Sequence, residues 1–337
     1  MTGSAKPSET VLVTGGCGFI GSHFCEALLA EGHHVIAIDD LSTGRLENVE
    51  DLRSNPNFAF HIDTIINPPL LDRLVGESDV IFHLAAAVGV ELIIRDPIHV
   101  IETNILGTIT VLKAAARHRC RTFLASTSEI YGKSEETPFD EEGDRLLGPT
   151  TRWRWSYSTS KAVDEYLGLA YHRQAGLPVT IFRPFNTVGP RQTGHYGMVI
   201  PRFVEQALAG EKLTVYGDGT QSRSFCDVRD TIRALKGLMS EPTTPGKVFN
   251  IGSPNEISIL ELARKVLCLT GGERSSSADD RIEFVPYDEA YEAGFEDMHT
   301  RTPDLTRIHG TIGWTPQIPF EATLEEIIAH HRLRRGD

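Results

Sequence analysis

Short apolar runs alternate with stretches of helical period along the first half of the chain. Thr10–Thr14 is a β-branched run that stops at Gly15. His34–Ile38, Val80–Leu84, Thr122–Ala125 and Val179–Phe182 repeat the pattern. Between them, Ser22–Ala30, Val100–Arg117 and Tyr157–Gln174 space apolar residues by three and four, as helices do. Runs that are apolar throughout belong to strands buried on both faces. Their alternation with helices predicts a parallel sheet covered on both sides. After Arg183 the texture changes. Glycine, proline and arginine punctuate Phe185–Thr193, Leu213–Gly219 and Pro242–Gly246, while Ile259–Leu269 and Thr323–Arg332 read as isolated helices and Ser275–Asp280 as a polar loop. The reading is an α/β chain in three parts: a disordered lead-in over 1–9, a sheet domain over 10–183, and a smaller C-terminal α/β lobe over 184–337. Segments of the lobe are expected to return to the sheet domain.

Charge and cysteine usage narrow the partners. The 337 residues carry a formal net charge of −13 with no basic stripe, which argues against nucleic acid. No apolar run reaches the roughly 20 residues that cross a bilayer, which argues against a membrane. Cys17, Cys25, Cys120, Cys226 and Cys268 are odd in number and lack CxxC spacing. They predict neither a disulfide framework nor a metal site, but reduced thiols in a cytoplasmic protein.

Candidate chemistry begins where the first strand ends. Gly15-Gly16-Cys17-Gly18-Phe19-Ile20-Gly21 gives glycines at three-residue spacing between a strand and a helix. Such a turn lets backbone approach a pyrophosphate at a helix N-terminus. The sheet domain is therefore read as a Rossmann-type doubly wound sheet. Asp39 follows Gly21 by 18 residues, at the end of the second strand. A carboxylate there accepts hydrogen bonds from a ribose diol and repels a 2′-phosphate, so NAD is expected rather than NADP, with Arg45 nearby as the opposing signal. Phe19, Ile20 and Asp40 flank these positions. Asp63 and Thr64 stand either on the adenine side or in an ordinary turn. Leu84, Ala85 and Ala86 leave room for a cofactor, and His83 reads as a satisfied strand-end histidine.

Tyr157 and Lys161 lie four apart and share one helix face. A fixed ammonium beside a phenol, with a cationic ring beyond, favours the phenolate and makes it a general base near neutrality.

With these residues in order, the chain resembles the extended short-chain dehydrogenase/reductase family, among its nucleotide-sugar epimerases, dehydratases and decarboxylases. The likeness runs through the glycine turn, Asp39, His83–Ala87, Asn104, Ser126-Thr127-Ser128-Glu129, Tyr157-x3-Lys161, Arg183–Arg191, Leu213–Gly219, Arg223 and Arg301–Asp304. It implies that Tyr157 takes the proton from the sugar O4 as hydride leaves C4 for NAD. Lys161 would hold the nicotinamide ribose, and Thr127 would bond O4. Ser128 and Glu129 complete the catalytic candidates. Asn186 would meet the substrate diphosphate, Leu213, Thr214 and Tyr216 would wrap the nucleobase, and Arg223 and Arg301 would face the diphosphate or sugar. Arg191 and Val199 are further substrate-side candidates. The resemblance also implies a homodimer through the two long helices, with Leu106, Ile109, Leu112, Leu167 and Tyr171 serving either that interface or the core.

The resemblance leaves the fate of the 4-ketone divided. Thr127-Ser128-Glu129, Phe185-Asn186-Thr187, Gly189-Pro190-Arg191 and a late arginine at Arg301 look like UDP-glucuronate decarboxylases. Gln192-Thr193-Gly194 is closer to UDP-glucuronate 4-epimerases, Met198 departs from several decarboxylases, and Val88-Gly89-Val90 matches neither decarboxylases nor dehydratases closely. Decarboxylation of UDP-glucuronate is the favoured outcome, 4-epimerisation of UDP-glucuronate or a UDP-hexose the alternative and 4,6-dehydration of a nucleotide-sugar the third. A non-catalytic NAD-binding protein would show a broken catalytic set, whereas Thr127, Tyr157 and Lys161 are all in place.

Overall fold

A computed structural model describes residues 8–194, 198–271, 279–286, 289, 298 and 301–336. Residues 1–7 of the expected lead-in and most of the Ser275–Asp280 loop lie outside the described residues. The first half runs β1 (Thr10–Thr14), α1 (Phe19–Ala30), β2 (His34–Asp39), β3 (Phe58–Ile62), α2 (Pro68–Gly76), β4 (Val80–His83), α3 (Val90–Arg95), α4 (Pro97–His118), β5 (Arg121–Ala125), α5 (Ser156–Ala175) and β6 (Val179–Pro184). The second half runs β7 (Thr187–Val188), α6 (Val199–Ala209), β8 (Leu213–Tyr216), β9 (Ser222–Ser224), β10 (Cys226–Asp227), α7 (Val228–Ser240), β11 (Val248–Ile251), β12 (Glu256–Ser258), α8 (Ile259–Gly271) and β13 (Ile282–Val285).

The main sheet has seven parallel strands in the order β11-β6-β5-β4-β1-β2-β3. Strand order reverses between β1 and β4, and the crevice for a ligand opens at the carboxyl ends there. Two apolar cores flank the sheet. One packs Phe24, Phe82 and Phe123 with Leu235 and Leu238 of α7. The other packs Leu12, Ile81 and Leu124 with Val111 and Leu112 of α4. A third core, around Phe203, Leu213, Val215, Leu262 and Leu324, builds the lobe.

Sequence periodicity misses β11, because Val248–Ile251 is only four residues long and holds a polar residue, Asn250. Asn250 is fully buried, and its amide nitrogen reaches the Phe139 carbonyl at 2.8 Å. That pairing makes a buried polar residue tolerable in this edge strand. Two helices begin earlier than the apolar pattern suggests. The first starts at Phe19, directly after the glycine turn. The second starts at Pro97 behind Asp96, whose carboxylate accepts the His99 N–H at 3.2 Å, a Pro-first, Asp-capped start.

All five cysteines are free thiols, with only Cys268 exposed. Among the described residues no helix is long and apolar enough to cross a membrane, and no cluster of metal-ligating side chains forms.

Candidate active site

A cavity of about 490 Å³ runs along the carboxyl ends of the strands from the glycine turn to Arg301. Gly15 has φ +71, and a Cβ there would come within 2.9 Å of the Ala85 backbone nitrogen. At Gly21 a Cβ would sit 2.0 Å from the Gly15 carbonyl. Both positions therefore exclude a side chain, and the turn presses against the strand end at Ala85. The first turn of α1 carries no acidic residue, so its N–H groups face the cavity without a competing carboxylate.

Asp39 closes this end. Its carboxylate accepts N–H groups from Leu41 at 2.8 Å and Cys17 at 2.9 Å. Burial pushes its carboxyl up, and those two hydrogen bonds oppose the rise. The Ser126 hydroxyl lines the same cavity, buried and without a protein partner. A side-chain-free turn, a helix N-terminus, a carboxylate wall and an unpartnered hydroxyl together fit a dinucleotide. Gly15, Gly18, Phe19, Ile20, Gly21, Asp39, Asp40, Asp63, Leu84, Ala85 and Ala86 all line the cavity. Thr64 does not; its hydroxyl accepts the Ile66 N–H at 3.2 Å in the turn before α2.

The chemistry-bearing side chains gather at the start of α5. Tyr157 is 5% exposed and Lys161 2% exposed. Thr127 hydrogen-bonds the Tyr157 phenol, and its oxygen also accepts the Glu129 N–H at 3.2 Å. Burial pushes the Tyr157 phenol up and Glu129 adds to the rise, with Thr127 and Arg301 opposing. Lys161 gives its ammonium to Asp164 Oδ2 at 2.7 Å.

Glu129 is gripped by two guanidiniums. Arg154 Nη1 donates to one carboxylate oxygen and Arg301 Nη2 to the other. Burial alone would raise the Glu129 carboxyl. The two arginines outweigh it and hold the carboxyl down at about 2. Sequence reasoning missed Arg154. It sits in a single turn, Trp153–Trp155, just ahead of the tyrosine helix. Nothing local separates it from the exposed Arg152; burial at 4% and the reach to Glu129 do. Its guanidinium lies 5.6 Å from the Trp155 ring centroid, a cation–π distance.

The substrate-side candidates divide. Asn186, Val199, Tyr216, Arg223 and Arg301 line the cavity. Asn186 has φ 33 and is fixed by its amide to the Ser224 carbonyl at 2.8 Å. The Arg202 guanidinium, another residue not anticipated, lies 4.1 Å above the Tyr216 ring. Arg191 also lines the cavity, but it turns to α1, bonding Glu26 at 2.6 Å and Ser22 at 3.2 Å. That places it at the glycine-turn end. Leu213 and Thr214 leave the cavity altogether. Leu213 points into the lobe core, as alternation along a strand requires, and Thr214 hydrogen-bonds Gln206.

His83 is a satisfied interior histidine. It bonds Thr14 at 2.8 Å and Thr108 at 3.2 Å, and burial, with Lys161 nearby, lowers it to about 3.

The sequence likeness agrees with this geometry. The GDP-mannose 4,6-dehydratase family matches residues 12–327. The UDP-N-acetyl-α-D-glucosaminuronate decarboxylase of Bacillus cytotoxicus is 42% identical over 328 residues, covering 97% of this chain and 98% of that protein. UDP-glucuronic acid decarboxylase 1 of Xenopus tropicalis is 37% identical, covering 98% of this chain and 73% of its own length. A dTDP-glucose 4,6-dehydratase from Bacillus anthracis, solved in complex with NAD, superposes with a TM-score of 0.84 at 29% identity, covering 98% of each chain. Fold, cavity and sequence together place the chain in the GDP-mannose 4,6-dehydratase family, among the nucleotide-sugar enzymes of the extended short-chain dehydrogenases/reductases.

Proposed function

We propose that the protein is an NAD-dependent decarboxylase of a UDP-uronate. The observation that carries this reading is the grip of Arg154 and Arg301 on Glu129 beside Tyr157. All three side chains line the cavity, and guanidiniums suit a carboxylate through charge-assisted, bidentate contacts. A sugar whose C6 is a carboxylate is the anion that chemistry would recognise.

The glycine turn, Asp39 and Lys161 hold NAD, which accepts the hydride from C4 when bound. Tyr157 takes the O4 proton, and Thr127 orients that oxygen. Once C4 is a ketone, the C6 carboxylate stands β to it. The C5–C6 bond breaks, carbon dioxide leaves, and the electron pair passes into the C4 enolate. A proton then returns to C5. Arg154 and Arg301 orient the carboxylate before it leaves, and water supplies the proton that C5 takes up.

Glu129 bears on the alternatives. A 4,6-dehydratase needs an acid to protonate the departing O6 hydroxyl. A carboxyl held at about 2 is ionised throughout the physiological range and is a poor donor. A 4-epimerase must let the keto sugar turn over, whereas two arginines on the carboxylate hold the ring. Both uronates named for the relatives, with and without a 2-acetamido group, carry the same carboxylate.

The reading extends to a homodimer through α4 and α5. Leu106 is 45% exposed on α4 and Tyr166 68% exposed on α5, an apolar pair on adjoining helices. Leu112 is fully buried in the core, against which Leu167 and Tyr171 also pack, so these serve the interior. Light scattering checks the dimer: a monomer mass contradicts it.

The test of function is incubation with NAD and either UDP-glucuronate or its 2-acetamido counterpart, followed by product mass. Loss of carbon dioxide supports the proposal; an unchanged mass with inverted C4 supports the epimerase.

A further inference from the structure

Behind Lys161 runs a line of buried polar side chains that the cavity does not reach. Thr14, His83, Thr108, Asp164 and Lys161 are each 2% exposed or less. Their hydrogen bonds have a determined direction. The Thr14 oxygen accepts N–H groups from Leu84 at 3.2 Å and Ala85 at 3.1 Å. Its own proton is left for His83 Nδ1 at 2.8 Å. A neutral imidazole that accepts at Nδ1 must donate at Nε2, here to the Thr108 oxygen at 3.2 Å. The Thr108 hydroxyl faces the Asp164 carboxyl and helps to hold it down, although Asp164 Oδ1 has no hydrogen-bond partner. Asp164 closes the line by accepting Lys161 Nζ at 2.7 Å, three residues along the same helix.

We propose that Asp164, backed by Thr108, His83 and Thr14, is the positioning residue for Lys161: it fixes where the ammonium stands and cancels part of the field that the ammonium puts on Tyr157. A buried ammonium without a counter-charge is costly, and an ion pair this deep needs the remaining valences of its carboxylate filled. Here Asp164 Oδ1 is left without a hydrogen bond, so the Thr108 hydroxyl facing the carboxylate is the polar support it has from α4. The cancellation follows from Coulomb's law, since a negative charge adjoining a positive one reduces the field of both at a third group. From the surrounding elements, the phenol is also faced by Glu129 in the turn after β5 and by Arg301 of the late segment. Arg154 acts on Glu129, and His83 of β4 is neutral. Of these, Asp164 alone neutralises Lys161.

The proposal rests on the nucleotide and on Tyr157, not on the fate of the sugar, and its test needs no sugar. The phenolate absorbance of Tyr157 is followed against pH in the NAD-bound protein, as the difference from the Tyr157→Phe protein. Asp164→Asn is expected to lower the pH at which the phenolate appears by about one unit. Asp164→Glu, which keeps the charge, returns it to the wild-type position. Thr108→Val leaves the carboxylate less well held and moves the midpoint the same way by less. Should Asp164→Asn not fold, the Thr108→Val titration decides. A midpoint that stays in place, or rises, in the folded variants overturns the proposal and leaves Asp164 a packing residue.

Discussion

Two buried ion clusters face each other across one phenol, and they differ in their access to the cavity. Lys161 and Asp164 form a closed pair, its carboxylate shut away behind the lysine. Arg154, Glu129 and Arg301 form an open one, all three lining the cavity. The closed pair lies where a cofactor ribose would be, a neutral group that needs donors in fixed places. The open cluster lies where the substrate's reacting end would be, with guanidiniums suited to an anion. Position and affinity are thus built separately, and Tyr157 stands between them.

The largest effect should come from removing the group both clusters serve. Tyr157→Phe is expected to cut turnover by on the order of a thousandfold while NAD binding, measured by calorimetry, stays near wild type. Retained turnover would refute its role as base.

Next is the open cluster. Arg154→Met should lower decarboxylation on the order of a hundredfold, from loss of a charge-assisted contact to a buried carboxylate. C4 oxidation, read as transient reduced nicotinamide, should fall less. Equal losses in both would mean that Arg154 serves folding rather than the carboxylate.

A smaller effect concerns stability against pH. The Glu129 carboxyl is depressed from 4.5 to about 2 in the folded protein. Its contribution is therefore complete above about pH 4.5 and fades as pH falls towards 2. Urea titrations should show stability falling across that window, by on the order of 3 kcal/mol from this group. Glu129→Gln should be less stable at neutral pH, because both charge-assisted contacts to the guanidiniums are weakened, and its curve should be flatter below pH 4.5. An equally steep curve would assign the acid sensitivity elsewhere. Smallest is Asp39→Asn, which should weaken NAD binding about tenfold and reduce discrimination against NADP. An unchanged preference would place the ribose away from Asp39.

What could be read from the sequence follows from how local each signal is. Gly15–Gly21 and Tyr157–Lys161 are contiguous, and their spacing carries their geometry. The arginine clamp is different. Arg154 and Arg301 are 25 and 172 residues from Glu129. The likeness to known enzymes suggested Arg301, but Arg154 looks like a surface residue until the chain folds. Asp164 is hidden in the same way, since its meaning comes from His83 and Thr108 on other elements. Leu213 and Thr214 fail for the opposite reason. They fall within a recognisable segment, Leu213–Gly219, yet strand alternation turns Leu213 into the lobe core, Gln206 engages Thr214, and only Tyr216 of the three named positions lines the cavity.

The central claim is that the open cluster commits the enzyme to break the C5–C6 bond. It is tested most directly by offering the NAD-bound protein UDP-glucuronate labelled at C6 and counting labelled carbon dioxide. Release of label in step with substrate consumption, abolished in Tyr157→Phe, is the expected result. Consumption with the label retained in a C4-inverted uronate would contradict it.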